Sequence, residues 1–486
     1  MDMARLHKLR IMPNVCITKK RGDNMNSIYA YIKKYAAMLA AQEYAIGPAA
    51  RLIVETNEGV FGTVKGADLA NLSETEIEKL PLEALPKGKQ QIRAIVISQT
   101  PACQEWLQRG EALFPSLDDM AQIIGTRAAV IDARKGFQKA VPQLTRIMRT
   151  NAGCFMVIGR APNGAYLGYT LTVGRTPYEA IVAMTVLEKS AEVTLLAEKI
   201  GRPQRIAPWE CKLMRTIYMK KYSKSEAKAK ADEAAAVEAQ AAEAGPAEIQ
   251  ADVPAAVTAE DAINETASAG NAAPVETSAA ANAQDTLTAV ESAPQASTDT
   301  QDREAVLRAQ LVDYGKQLVA CGLVQGTWGN LSARLDDTYM LATPSGLDYT
   351  RLTPADMVKV NIRTLEYEGN LKPTSEKGLH AAIYQNRPDI GGIIHTHSKY
   401  CSVYAAARCD LPVPESLPSP FHDPVKLAGY ALPGTKALMK NTAAAVGDNY
   451  GAIMSNHGMI VCGQALAAAF QNGKQLEDIA EASLDK

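Results

Sequence analysis

Five of the six histidines in this 486-residue chain stand at or beyond residue 380: His380, His395, His397, His422 and His457, with His7 alone near the start. His395 and His397 are two apart in GGIIHTHS, directly after an apolar, strand-like run. In a strand, residues i and i+2 face the same side. Two imidazoles so placed can share one cation, at about 2.0–2.1 Å each if it is zinc. His457, in AIMSNHGMIVCG, sits where a small polar break interrupts a second apolar run and offers a third ligand. Glu376, in KPTSEKGLH, offers a carboxylate. Three imidazoles with a carboxylate or water form a zinc-type set. The H-x-H pair alone reads equally well as two ordinary strand-end histidines; the N-H-G histidine and the glutamate ahead of a helix tip the reading to a metal site. His380, four residues after Glu376 and on the same helical face, is expected behind the site or in the core. His422, in the Pro-rich PSPFHDP, is expected in a solvated loop.

The surrounding periodicities supply elements to position these groups. Val306, Leu307, Leu311, Tyr314, Leu318 and Val319 recur at three and four, which predicts an amphipathic helix over 302–321. Further helices are expected over 375–386, 435–446 and 466–483. Strands are expected over 339–341, 393–396 and 453–461. This block of 303–486 mixes helix and strand, and so does a first block of 25–220, as α/β domains do. Between them, 221–302 is dominated by Ala, Glu, Ser, Thr and Pro with few large apolar residues. Such a tract cannot bury enough surface to offset its chain entropy and reads as a flexible acidic linker. Residues 1–24 read as a disordered leader.

The bulk properties exclude several classes. A net charge of −2 and a pI near 6.4 give no footprint for nucleic acid or an anionic membrane. No run approaches the roughly 20 apolar residues of a membrane span. The eight cysteines are scattered without a C-x-x-C pair, as expected of reduced thiols in a cytoplasmic protein.

QGTWGNLSAR, TPSGLDYTRL, KPTSEKGLHAAIY, IIHTHS and SNHGMIVCG follow one another in the order and approximate spacing of the class II aldolase and adducin family. The resemblance covers nearly all of 303–486, and its enzyme members include L-fuculose-1-phosphate aldolase and L-ribulose-5-phosphate 4-epimerase. It implies an α/β, three-layer αβα fold with a mostly antiparallel sheet. It implies a divalent ion, most simply Zn2+, held by His395, His397 and His457, and a substrate phosphate held by Asn330, Ser345, Gly346, Thr374 and Ser375. It makes Glu376 the proton acceptor and donor. A glutamate there favours an aldolase, since the epimerases resemble one another in carrying aspartate. The small donors beside Gly329 and Gly346 suit an anion-binding turn, and Thr374 or Ser375 suits a helix N-cap.

The implied reaction is retro-aldol cleavage of a phosphorylated ketose of fuculose or ribulose type to dihydroxyacetone phosphate and an aldehyde. Epimerase and dehydratase outcomes stand as alternatives, as does a non-catalytic, adducin-like scaffold. Two departures from the family bear on this. Family aldolases take a second acid, a tyrosine, from a neighbouring subunit, in the loop after the H-x-H helix. Here that loop reads CDLPVPESLPSPFHDP and has no tyrosine, leaving Glu415, His422 and Asp423 as candidates. The chain also ends soon after its last helix, where family aldolases carry a further tail.

The first block resembles the second. GADLANLSETEIEKL (66–80) matches SGLDYTRLTPADMVKV (345–360) at an offset of 280, and IRAIVISQTP (92–101) matches IGGIIHTHSK (390–399) at 298. Ile97 and Gln99 therefore stand where His395 and His397 stand. GAYLGYTLTVGRTPYEAIV (164–182) resembles GAIMSNHGMIVCGQALAAAF (451–470) without its histidine. The first block is thus expected to be a degenerate copy that has lost its ligands. It would serve as a pseudo-subunit in a homo-oligomer, its polar residues completing the site of the second.

Overall fold

In a computed structural model of the chain, the described residues are 21–82, 85, 92–220, 296–325 and 328–484. The leader up to residue 20 and the linker up to residue 295 lie outside them. The flanking helices begin earlier than the periodicity indicates: the first at Arg21 rather than Met25, the second at Ala296 rather than Asp302.

The first domain contains α1 (Arg21–Ala41), β1 (Arg51–Thr56), β2 (Gly59–Thr63), β3 (Ile77–Lys79), β4 (Ala94–Ser98), α2 (Pro101–Arg109) and α3 (Asp118–Ile123). It continues with β5 (Ala129–Asp132), α4 (Phe137–Ile147), β6 (Gly153–Arg160), β7 (Tyr166–Gly174), α5 (Pro177–Ile200) and α6 (208–220). The second contains α7 (Ala296–Ala320), β8 (Gly329–Arg334), β9 (Tyr339–Ala342), β10 (Val358–Asn361), α8 (Lys377–Asn386), β11 (Gly392–Thr396) and α9 (Lys399–Ala407). It closes with β12 (Leu427–Ala428), α10 (Lys436–Val446), β13 (Gly451–Met454), β14 (Gly458–Gly463) and α11 (Leu466–Ala482).

The two sheets run β3-β2-β1-β4-β7-β6-β5 and β10-β9-β8-β11-β14-β13-β12. The second order is the first with every strand number raised by seven. In each sheet a single pair is parallel, β5 with β6 and β12 with β13. Both sheets are covered on both faces, because alternate side chains enter different cores. Ile394 packs with α9 and α11, while its neighbour Ile393 packs with α8 and α10. Both domains are therefore three-layer α/β units with a mostly antiparallel sheet, as expected.

The duplication extends to details no composition would enforce. At the offset of 280, the single-turn helices Glu74–Glu76 and Pro354–Asp356 each open with a capping box, Ser73 with Glu76 and Thr353 with Asp356. At 298, β4 matches β11 and α2 matches α9. Each of these helices is entered over one carboxylate. Glu188 accepts from Thr100 Oγ1 and the N–H groups of Ala102 and Cys103 at 2.5–2.9 Å. Glu477 accepts from Ser398 Oγ and the N–H groups of Tyr400 and Cys401 at 2.7–2.9 Å.

One alignment needs correction. Gly153 pairs with Thr172 and Gly451 with Val461. The counterpart of Gly451–Met454 is therefore the strand beginning at Gly153, not the segment beginning at Gly164. Gly153 and Gly451 are 298 apart, Thr172 and Val461 are 289 apart, so the first hairpin is longer by nine residues. Short Gly-apolar strings occur in both strands of that hairpin, and only the pairing register distinguishes them. The longer hairpin replaces the tight turn that carries His457.

The domains pack along α5 and α9. Leu117, Val193 and Ala197 of the first share a buried cluster with Val403 and Ala406 of the second. Among the described residues no helix is long and apolar enough to cross a membrane, and seven cysteines are free.

The carboxylate at the head of α2 is buried and fully used, so Glu188→Ala leaves two backbone donors and a hydroxyl without an acceptor. We expect it to cost about 2–3 kcal/mol, read as an earlier urea transition of the first domain.

Candidate metal centre and active site

The three histidines meet. His395 Nε2 lies 3.0 Å from His397 Nε2 and 3.1 Å from His457 Nε2. Glu376 closes the group, its Oε2 3.3 Å from His395 Nε2 and its Oε1 3.2 Å from His457 Nε2. Backbone geometry enforces this arrangement. His395 is in β11, between β8 and β14, opposite Asn330 and Ile460. His397 follows the end of that strand. His457 occupies the turn between β13 and β14, where Asn456 has a positive φ of 58°. A Cβ on Gly458 would fall 2.3 Å from Thr396 O, so only glycine lets this turn lie against β11.

Each ring is held from behind. His395 Nδ1 is 2.7 Å from Met459 O. His397 Nδ1 is 2.8 Å from Asp119 Oδ1, and His457 Nδ1 is 2.6 Å from Asp118 Oδ2. Acceptors behind all three Nδ1 atoms leave all three Nε2 lone pairs for the common point. Around a tetrahedral ion with bonds of about 2.0–2.1 Å, ligand atoms stand roughly 3.4 Å apart. The observed 3.0–3.3 Å spacings are slightly tighter than that and need only a small outward movement.

Electrostatics agree with a cation. Among the described residues, Glu376, Asp118 and Asp119 are buried with a single ammonium, Lys189. With neutral imidazoles the cluster carries two uncompensated negative charges. Burial would raise the Glu376 carboxyl, but His395 and His457 beside it hold it well below the usual carboxylate range. Burial pushes His395 down to about 3, keeping its lone pair. Burial opposes a charge on His457, and Asp118 and Glu376 on either side raise it well above the usual value. The residues fit a divalent ion.

Asp118 and Asp119 come from the first domain, in the first turn of α3. Their loop is tied to the histidine turn itself. Asp118 N donates to Asn456 O at 2.8 Å, and Asn456 Nδ2 donates to Ser116 O and Gln204 O at 2.7 and 2.8 Å. Lys189 Nζ bridges Asp119 Oδ2 at 2.8 Å and His397 O at 2.6 Å. Sequence reasoning missed all of these residues. The signal was available: shifted by 298, the end of α2 is the end of α9, so the loop after α2 is the counterpart of the loop after α9. The bridges Leu113–Ala128 and Leu411–Val425 bracket the two loops, at offsets of 298 and 297.

An open cleft of about 940 Å³ lies over the group. Its walls include Asn330, Ser345, Gly346, Thr374, Ser375 and Glu376, so the expected phosphate residues are brought together. Their duties differ in part from expectation. Asn330 Nδ2 donates to Glu376 Oε2 at 2.9 Å and so orients the carboxylate. The N–H groups of Ser345 and Thr374 are taken by Lys372 O and Thr343 O, leaving hydroxyls rather than those amides for an anion. The N-cap of α8 is Glu376 itself, not Thr374 or Ser375; Thr374 Oγ1 accepts from Glu376 N. The first domain lends Gln122, Met214, Ile217 and Tyr218 to the same cleft. Glu415, His422 and Asp423 do not line it; His422 is exposed, and Asp423 accepts from Val413 N. His380 is core, its Nδ1 2.7 Å from Ser332 Oγ.

Residues 309–484 match the model of the Class II Aldolase and Adducin N-terminal domain. The 5-methylthioribulose-1-phosphate/5-deoxyribulose-1-phosphate aldolase of Rhodospirillum rubrum is 36% identical over 183 residues, 36% of this chain and 79% of that protein. The chain belongs to the class II aldolase and adducin family. The L-fuculose phosphate aldolase of Escherichia coli is 31% identical over 176 residues, 36% of this chain and 81% of that enzyme. A solved L-fuculose 1-phosphate aldolase is 35% identical and covers 36% of this chain and 84% of its own, with a TM-score of 0.35. These similarities fall on the second domain of this family member; the first is tied to it by the repeated strand order.

Burial pushes His380 down to about 4. Its ring is therefore expected to stay neutral from pH 8 to pH 5.5, seen as pH-invariant imidazole nitrogen shifts by NMR.

Proposed function

We propose that the chain is a metal-dependent sugar-phosphate aldolase that cleaves a phosphorylated ketose to dihydroxyacetone phosphate and an aldehyde. The observation that carries this reading is the convergence of His395, His397 and His457 Nε2 with Glu376 at the floor of a cleft walled by Ser345, Gly346, Thr374 and Ser375. A divalent ion, zinc in this reading, would be held by the three imidazoles and would polarise the substrate's carbonyl and hydroxyl oxygens. The hydroxyls of Ser345, Thr374 and Ser375 anchor the phosphate, which places the scissile carbon–carbon bond over Glu376 and turns remote binding into orientation. As that bond breaks, the hydroxyl of the leaving fragment loses its proton and becomes the aldehyde carbonyl. The electron pair stays with the other fragment as an enediolate. The proton that the hydroxyl gives up passes to the Glu376 carboxylate, which Asn330 fixes, and from there to the enediolate carbon. Tyr218, the titratable side chain that the first domain adds to the cleft, supplies the second proton-transfer group.

In the same reading the first domain is a pseudo-subunit without a centre of its own, the enzyme is a cytoplasmic homo-oligomer, and no nucleic acid or membrane takes part. The relatives include methylthioribulose-, deoxyribulose- and fuculose-phosphate aldolases and a 3-oxo-tetronate 4-phosphate decarboxylase, all named for carbon–carbon cleavage, which favours that outcome over epimerisation, dehydration or a scaffold role.

The purified protein should carry about one divalent ion per chain, and chelation should abolish release of dihydroxyacetone phosphate from a ketose 1-phosphate, followed with a coupled dehydrogenase. A folded, unchelated sample with less than about half an ion per chain would sink the enzyme reading. Glu376→Gln and Tyr218→Phe should each lower kcat by about 10²–10⁴-fold, and Tyr218→Phe should keep its metal.

A further inference from the structure

The two copies divide the centre between them. The second has the imidazoles, yet in its counterpart of the Asp118–Asp119 loop, between Leu411 and Val425, the acids Glu415 and Asp423 pair with none of the three rings. The first has these acids but no histidine ligands, since Ile97 and Gln99 stand in their places. We propose that the first domain forms the outer half of the metal centre: Asp118 and Asp119 fix the tautomer and ring angle of His457 and His397 and thereby set the affinity for the cation. This rests on the reading that the three imidazoles hold a divalent ion.

Geometry separates this role from catalysis. Both carboxylates stand behind the rings, at Nδ1, whereas Glu376 and the cleft are on the Nε2 side. Neither lines the cleft, so both are positioning residues. Asp119 does not hold a cation of its own with Asp118 and His397, because the Lys189 ammonium occupies its second oxygen at 2.8 Å. A histidine that ligates through Nε2 needs its Nδ1–H held by an acceptor, and an anionic acceptor also makes the ring a stronger base towards the ion. The acceptors are rigid here. Leu117, next to Asp118, is fully buried in the interdomain core, and Asn456, next to His457, is clamped by Ser116, Gln204 and Arg408 Nε at 2.6–2.8 Å. One loop of the first domain thus reads the angle of two ligands of the second.

The test uses the full chain, stripped of metal and titrated with Co2+, with Zn2+ affinity measured by competition against a chromophoric chelator. Asp118→Asn keeps the side chain's shape. Asp119→Asn is paired with Lys189→Met so that no ammonium is left unpaired. Each should bind about 10–100-fold more weakly and shift the visible Co2+ bands, while the metal-free Asp118→Asn protein melts within a few degrees of the parent. Glu192→Gln breaks an interdomain pair, Lys399 Nζ to Glu192 Oε1 at 3.1 Å, that touches no imidazole, and should bind as the parent does. Parent-like affinity and bands in both aspartate variants would overturn the inference and leave the aldolase reading standing, as would equal weakening by Glu192→Gln. A parent chain that binds no stoichiometric ion would overturn the aldolase reading, and the inference with it.

Discussion

Three imidazoles can turn their Nε2 lone pairs to one cation only if none carries a proton there. Each must therefore keep its proton at Nδ1 and have something to give it to. In this protein the three recipients are a backbone carbonyl at Met459 and two carboxylates, Asp119 and Asp118. The carbonyl comes free with the strand pairing of β11 and β14. The carboxylates do not, because a pair of buried aspartates is costly unless each is matched by a partner. Lys189 and His397 match Asp119, and His457 matches Asp118. The packing of α5 against α9, the clamp on Asn456 and the burial of Leu117 all serve to hold that pair in place.

This constraint explains why a domain without histidine ligands is joined to one with them. A heterologous contact between two copies of the same fold brings the loop after α2 of one to the H-x-H strand of the other. Once the copies are on one chain, each can lose what the other supplies. The first copy has lost its ligands, and its hairpin has lengthened where His457's turn would be. In the second copy's corresponding loop, 411–424, Glu415 and Asp423 pair with none of the three rings, and Asp423 accepts from Val413 N instead. What remains is one centre made from two domains.

The core of the site was legible in the sequence because its signals are local. H-x-H at a strand end, N-H-G at a turn that needs a positive φ followed by a residue without Cβ, and a glutamate before a helix are short patterns with direct geometric causes. The repeat was legible too, with offsets of 280 and 298 that both sheets reproduce. Where only short Gly-apolar strings were available, at 164–182, the register came out wrong, since pairing rather than composition decides it. The helix cap at Thr374 or Ser375 shifted to Glu376 because Thr374 turns its hydroxyl to the Glu376 amide. Asp118, Asp119 and Lys189 escaped notice for a different reason. Their roles exist only across an interface, hundreds of residues from the groups they touch, and nothing in LDDM or EKSA marks them locally.

The claim that most of this depends on is that a cation sits at the convergence of His395, His397 and His457, with the first domain behind it. Anomalous diffraction from crystals of the full chain, recorded on both sides of the zinc absorption edge, tests it directly. The account predicts one peak per chain, about 2.0–2.2 Å from each of the three Nε2 atoms, with the carboxylates of Asp118 and Asp119 against the two Nδ1 atoms. A zinc-replete crystal with no peak there, or with its peak bound through Asp118 and Asp119 instead, would contradict it.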